Sequence, residues 1–257
     1  MPAPSAGLIF GSILSLFPEG ITPGEKTKLA QAVADVLGAA CGGFVERVKM
    51  APGVPCAVTP PAMVGTVAGV GGLIGEGLFE PELRSKAGSA ARTLNMIPDD
   101  DKMFVESLTR LTHLGFERYV AIAQILPGTP VAGGITVAPM PITAAGGVVK
   151  GELDGAARAL NPPRPPQAPT RAPTTAWTAA RPQMGGRTPG APMMGGHRGA
   201  APPPPPPQAL TLMLPADFAQ IVARAVEVTL DQISTMVLVA PGIPVAGQTT
   251  GAPGDLM

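Results

Sequence analysis

Aromatic side chains are scarce in this chain: among 257 residues there is one Trp, one Tyr and seven Phe, 4% in all. Together with 33 Gly and 33 Pro, that scarcity argues against one dense core of the kind a large enzyme builds. Histidine is equally short. With only His113 and His197, a catalytic base or a metal cluster has few candidates. Cysteine is limited to Cys41 and Cys56, too few for a disulfide framework and without the CxxC spacing of metal or redox sites. Both lie in apolar stretches and are expected to be free, buried thiols. Charge of one sign is missing too. The chain carries 18 basic and 18 acidic residues, so no net field steers it to nucleic acid or to an anionic membrane, and neither partner is expected.

Uninterrupted apolar runs are also absent. The stretches Met50 to Gly75 and Val120 to Val149 are free of charge and long enough to cross a bilayer. Pro and Gly break them repeatedly, which would strand backbone polar groups in lipid, so transmembrane helices are not expected. No basic residue precedes Lys26, so the apolar run Leu8 to Phe17 lacks the charged flank of a signal peptide.

What is present is apolar but small. Hydrophobic residues reach 45%, mostly as Ala and Val, and charged residues only 14%. Something is therefore buried, and much of that burial is expected between chains. The clearest pattern is a phrase written three times: Pro52-Gly53-Val54-Pro55-Cys56-Ala57, Pro127-Gly128-Thr129-Pro130-Val131-Ala132 and Pro241-Gly242-Ile243-Pro244-Val245-Ala246. A Pro also stands before each preceding stretch, with Pro23, Pro98 and Pro215 at spacings of 29, 29 and 26 residues. Gly71-Gly72 and Gly146-Gly147 fall at one offset from the first two phrases. Recurrence at a fixed spacing points to construction by duplication.

Each phrase ends a helical pattern. Leu29, Val33, Leu37, Ala40, Phe44 and Val48 form one stripe from about Glu25 to Lys49, interrupted by Gly38, Gly42 and Gly43. Phe104, Leu108, Leu111, Gly115, Ile122 and Leu126 mark a second helix from about Asp99 to Ile125, with Asp99, Asp100 and Asp101 suited to its positive end. Phe218, Val222, Val226, Leu230, Ile233 and Val237 mark a third, whose end from Met236 to Ala240 is β-branched enough to be a strand. Glu80 to Leu94 reads as a shorter connecting helix. After each phrase, Pro excludes helix, and Val54 to Val58, Gly65 to Ala68, Thr136 to Ala138 and Ile243 to Ala246 are expected as edge or intersubunit strands.

The resulting expectation is a mainly α chain with short β or extended arms: three helix-plus-arm repeats, not one compact globule. Its segments are an N-terminal apolar stretch (1–22), a first unit (23–77), a connector helix (78–97), a second unit (98–154), a flexible linker (155–210) and a truncated third unit (211–257). The linker holds a run of six prolines, Pro202 to Pro207, two Met-Gly-Gly words and five Arg without an acidic residue between Pro162 and Pro207. Within it, Pro166-Gln167-Ala168-Pro169-Thr170-Arg171 has the PxxPxR form that docks in SH3-type grooves, although a spacer accounts for so Pro-rich a segment without a ligand role.

Chemistry-bearing groups are few. His113 sits beside the apolar stripe of the second helix, where a structural or solvent-facing role is expected, and His197 falls in the linker. Asp99 to Asp101 lacks the spaced oxygen ligands of a calcium loop. Gly69-Val70-Gly71-Gly72 completes neither phosphate-binding fingerprint. No catalytic, cofactor or metal residues are expected, and no cofactor.

A helix, a Pro-Gly-x-Pro word and a Thr/Gly-rich arm, such as Thr59 to Gly69 or Gly247 to Gly254, resemble the small Ala/Gly/Pro-rich structural proteins of phage tails and contractile injection particles. The resemblance covers the three phrase-bearing units. It implies a non-enzymatic tail or baseplate component, assembled in the cytoplasm and then particle-associated, docking on protein subunits of an assembly with threefold symmetry. The candidate contacts are Pro52, Gly53, Pro55, Pro127, Gly128, Pro130, Pro241, Gly242 and Pro244, with Pro166, Pro169 and Arg171 in the linker. The alternative is an adaptor or scaffold that binds partners through its Pro-rich segment.

Overall fold

Three long helices each turn directly into a strand. The computed structural model describes residues 3–75, 80–144, 146–160 and 212–257. The chain begins with α1 (Ala6–Ile13) and a 3-10 turn at Leu14–Leu16, followed by α2 (Pro23–Arg47). Pro23 opens α2, where a missing N–H costs no hydrogen bond, and Glu25 lies in its first turn. The helix stops short of Lys49 because Val48 is extended, with its N–H closing the last turn on the Phe44 carbonyl.

Next come β1 (Lys49–Met50), β2 (Cys56–Thr59), β3 (Val64–Val67), β4 (Gly71–Ile74) and α3 (Glu80–Leu94). The order then recurs with α4 (Pro98–Ile122), β5 (Gln124–Ile125), β6 (Pro130–Ala132), β7 (Ile135–Thr136), β8 (Met140–Thr143) and α5 (Gly146–Leu160). The last part holds α6 (Phe218–Met236), β9 (Leu238–Val239), β10 (Val245–Ala246), β11 (Thr249–Thr250) and β12 (Gly254–Asp255). Ala123 and Val237 end α4 and α6 as Val48 ends α2, extended and bonded back to Tyr119 and Ile233.

Six of these strands form one antiparallel, nearly closed barrel-like sheet in the order β12, β1, β4, β5, β8, β9. Its seam is held by the Val239 to Leu256 bridge and by reciprocal bonds between Leu238 and Met257, at 3.0 and 2.8 Å. Each pair of barrel strands is joined through a hairpin: β2 with β3, β6 with β7 and β10 with β11. The hairpins pair in turn with one another, β3 with β6 in register, and the others through bridges from Ile135 to Pro244 and from Pro55 to Thr249.

The expectation of three helix-plus-arm repeats that do not form one compact globule is therefore corrected. The segments after the helices are not arms. They interleave with one another in the barrel-like sheet, and the helices and strands belong to one compact unit. The predicted edge strands fall in or beside the hairpins, each flanked on both sides within the chain, because unpaired backbone groups are satisfied most readily by the neighbouring hairpin. The two glycine pairs also differ. Gly71-Gly72 lies in β4, whereas Gly146-Gly147 begins α5, which runs through the expected unit boundary at 154 into the segment expected as flexible linker.

Packing explains how so little aromatic bulk suffices. α3 lies against α2 and α4, α5 against α4 and α6, and α1 against α6 and α2. The N-terminal apolar stretch thus supplies the helix between the last and first long helices, burying Ile9, Ile13 and Phe17. The few rings sit where long helices meet: Phe44 meets Phe116 and Tyr119 edge-on at 5.6 and 5.7 Å, and Phe104 stacks on Phe218 at 5.4 Å. Asp100 is buried, accepting the Leu214 N–H at 2.9 Å. It anchors the approach to α6 as well as lying at the start of α4.

α2 is long and apolar enough to cross a membrane by length and composition, although 56% of its apolar window is buried inside the protein. It packs against α1 and α3.

Candidate interaction surface

The thrice-written phrase forms the turn from barrel to hairpin. Gly53, Gly128 and Gly242 have φ of +87°, +110° and +94°, backbone that favours glycine. Each donates its N–H to a carbonyl of the preceding hairpin, the first closing on the last: to Thr250 at 2.8 Å, to Val67 at 2.8 Å and to Thr136 at 2.7 Å. The variable residue plugs the interior, since Val54, Thr129 and Ile243 are all buried. The flanking Pro52, Pro55, Pro127, Pro130, Pro241 and Pro244 are exposed. The structure therefore brings these nine candidate contacts onto one connected set of hairpins. Pro166, Pro169 and Arg171 lie outside the described residues, as does His197.

Two hydroxyls reinforce the joints. Thr250 accepts the Val54 N–H and Thr136 accepts the Ile243 N–H through their Oγ1 atoms, both at 3.0 Å. Val67 holds the like position at the remaining joint, where it offers no hydroxyl.

The hairpins sit at the barrel end away from the helix termini. β1, β5 and β9 follow directly from α2, α4 and α6, and two-residue strands lead from there to Pro52, Pro127 and Pro241. Strand alternation then divides the hairpin residues between two faces. Cys56, Val58, Val67, Val131, Thr136, Val245 and Thr250 are buried, while Ala57, Thr66, Ala132, Ile135, Ala246 and Thr249 are exposed. Residues 50–75, 120–149 and 237–254 contain no Asp, Glu, Lys or Arg. Val64 and Ile135 in the hairpins are 53% and 45% exposed, and Val70 and Val137 beside them 53% and 49%. The hairpins therefore carry no charged side chain and expose several β-branched ones.

The groups able to do chemistry are scattered. Among the described residues no three His, Cys, Asp or Glu side chains gather as a metal site. His113 lies on α4 with Nε2 3.8 Å from Glu117. Cys41 and Cys56 are buried and unpaired, with the Cys41 thiol pushed up to about 12 by burial. A small, mostly apolar cleft lies among α4, α5 and α6, where Tyr119 Oη and Ser234 Oγ are 2.8 Å apart beside Asp231. Burial pushes the Tyr119 phenol up, which keeps it a neutral hydrogen-bonding group.

No family model, no curated protein and no solved structure matches this chain.

Proposed function

We propose that this protein is a non-enzymatic structural subunit of a phage-tail-like or contractile injection particle, made in the cytoplasm and incorporated by docking its hairpin face on neighbouring subunits. The observation that carries the reading is the exposure of Val64 and Ile135 on two of three connected, charge-free hairpins, with Val70 and Val137 beside them, the hairpin strands being paired with one another. Docking therefore proceeds by side-chain contact across a face, not by strand addition along an edge. The particle class comes from the resemblance of the phrase and its Thr/Gly-rich continuation to tail proteins. The adaptor reading places contact in the Pro-rich segment instead. Replacing residues 162–207 by a neutral spacer of equal reach separates the two: retention in particles supports the tail subunit, and loss of all binding with the rest folded supports the adaptor.

A further inference from the structure

Three grooves run between neighbouring long helices, and each holds a short helix. α3 lies between α2 and α4, α5 between α4 and α6, and α1 between α6 and α2. The first two follow β4 and β8 in the chain, whereas α1 comes from the other end of the sequence, ahead of α2. It is seated as the other two are. Counted from the first residues Ala6, Glu80 and Gly146, the buried positions coincide: Ile9, Leu83 and Val149 three residues on, Ile13, Ala87 and Leu153 seven on, and Phe17, Ala91 and Ala157 eleven on.

Any amphipathic helix produces such a stripe, but the contacts at the helix starts do not follow from it. Gly38, His113 and Glu227 each stand ten residues before the extended caps Val48, Ala123 and Val237. The start of one short helix meets each of them. The Ala6 backbone lies so close to Gly38 that an added Cβ would sit 3.0 Å from its nitrogen, Glu80 lines one cleft with His113, and Lys150 pairs with Glu227 at 3.3 Å. Five residues before two of the caps stand Arg118 and Gln232. Arg118 pairs with Glu152, six residues into α5, at 2.6 Å, and Gln232 donates to Ser12, six residues into α1, at 2.8 Å. A reversed or rotated helix would break these coincidences. From them we infer that the space between α6 and α2 is a helix-docking site equivalent to those of α3 and α5. It takes a short helix with apolar side chains three, seven and eleven residues from its start, and it holds α1 by these contacts and not by the connection to α2. α1 thus stands structurally after β12 and clasps the last long helix to the first.

Two rearrangements of the full chain test this. Met257 bonds to Leu238 at the start of β9 as Ile74 pairs with Lys49 at the start of β1. Joining residue 257 directly to residue 1 would put six steps between Met257 and Ala6, the number between Ile74 and Glu80. The cyclised protein is expected to keep the circular dichroism spectrum of the linear chain and to melt at a higher temperature, because a closed chain loses less entropy on folding. A permutant that begins at Gly20, runs through the same joint and ends at Glu19 severs α1 from α2. It is expected to keep the native spectrum, to melt cooperatively and to protect the α1 amides from hydrogen exchange as wild type does. A cyclic protein that melts no higher than the linear one overturns the inference. So does a permutant that loses the native spectrum or leaves the α1 amides in free exchange.

Discussion

Gly53 donates its amide to the carbonyl oxygen of Thr250 at 2.8 Å, joining the first hairpin segment to the last. This contact closes the set of hairpins, and it depends on a backbone angle of +87° at Gly53.

A Cβ at Gly53, Gly128 or Gly242 would meet open space, so substitution there isolates the cost of the backbone conformation from any clash. Gly→Ala at each position is expected to destabilise by about 1–2 kcal/mol. Thermal unfolding of the three single variants checks this, and a melting temperature matching wild type in all three would refute the assigned role of the turn.

Thr136→Val and Thr250→Val keep side-chain shape while deleting the hydroxyls that accept the Ile243 and Val54 amides. Each is expected to cost about 1–3 kcal/mol, the penalty for a buried donor left without its acceptor. Urea denaturation reads the loss, together with faster exchange of those two amides. Unchanged exchange would show that the hydroxyls carry no weight.

Gly115 lets α4 approach α6 closely, since an added Cβ would lie 2.5 Å from Val226 Cγ1. Gly115→Ala is expected to destabilise by about 1–3 kcal/mol through overpacking. Val226→Ala in the same molecule should recover part of that loss in a double-mutant cycle. Simple additivity of the two changes would place the strain elsewhere.

Asp231 reaches solvent, yet partial desolvation against its neighbours and then the Glu227 charge hold its carboxyl above the ordinary carboxylate value, with Lys150 opposing. The folded state thus holds this proton more tightly than the unfolded chain does. Its contribution to stability is present below the ordinary value of 3.8 and is lost as pH rises through the raised one. Asp231→Asn is accordingly expected to be more stable than wild type at neutral pH, with the difference shrinking below the ordinary carboxylate value. Melting temperatures across that range decide the matter, and a difference independent of pH would contradict it.

The long helices were legible because their stripes are regular. Leu29, Val33, Leu37 and Phe44 are all buried, as are Phe104, Leu108 and Leu111, and Pro23 and Pro98 open their helices. The barrel-like sheet was not legible because four of its six strands are too short to show alternation. Lys49–Met50, Gln124–Ile125 and Leu238–Val239 offer two residues each, and what defines them is pairing with distant segments. The role of α1 was hidden for a similar reason: Ile9 and Ile13 form too short a stripe to reveal that they pack beside α6. The repeated phrase recurs in the fold as the turn from barrel strand to hairpin, each copy with its glycine at positive φ. Its partner within the chain, the neighbouring hairpin, could be found only from the fold.

The most direct test of the account is co-sedimentation of this protein with high-mass particles from the cells that make it, compared between wild type and the folded Val64→Glu, Ile135→Glu variant. Wild type in the particle fraction and the variant in the light fractions is the result predicted. Wild type confined to the light fractions, or a variant that sediments with particles as wild type does, would contradict the claim that the charge-free hairpin face is an assembly surface.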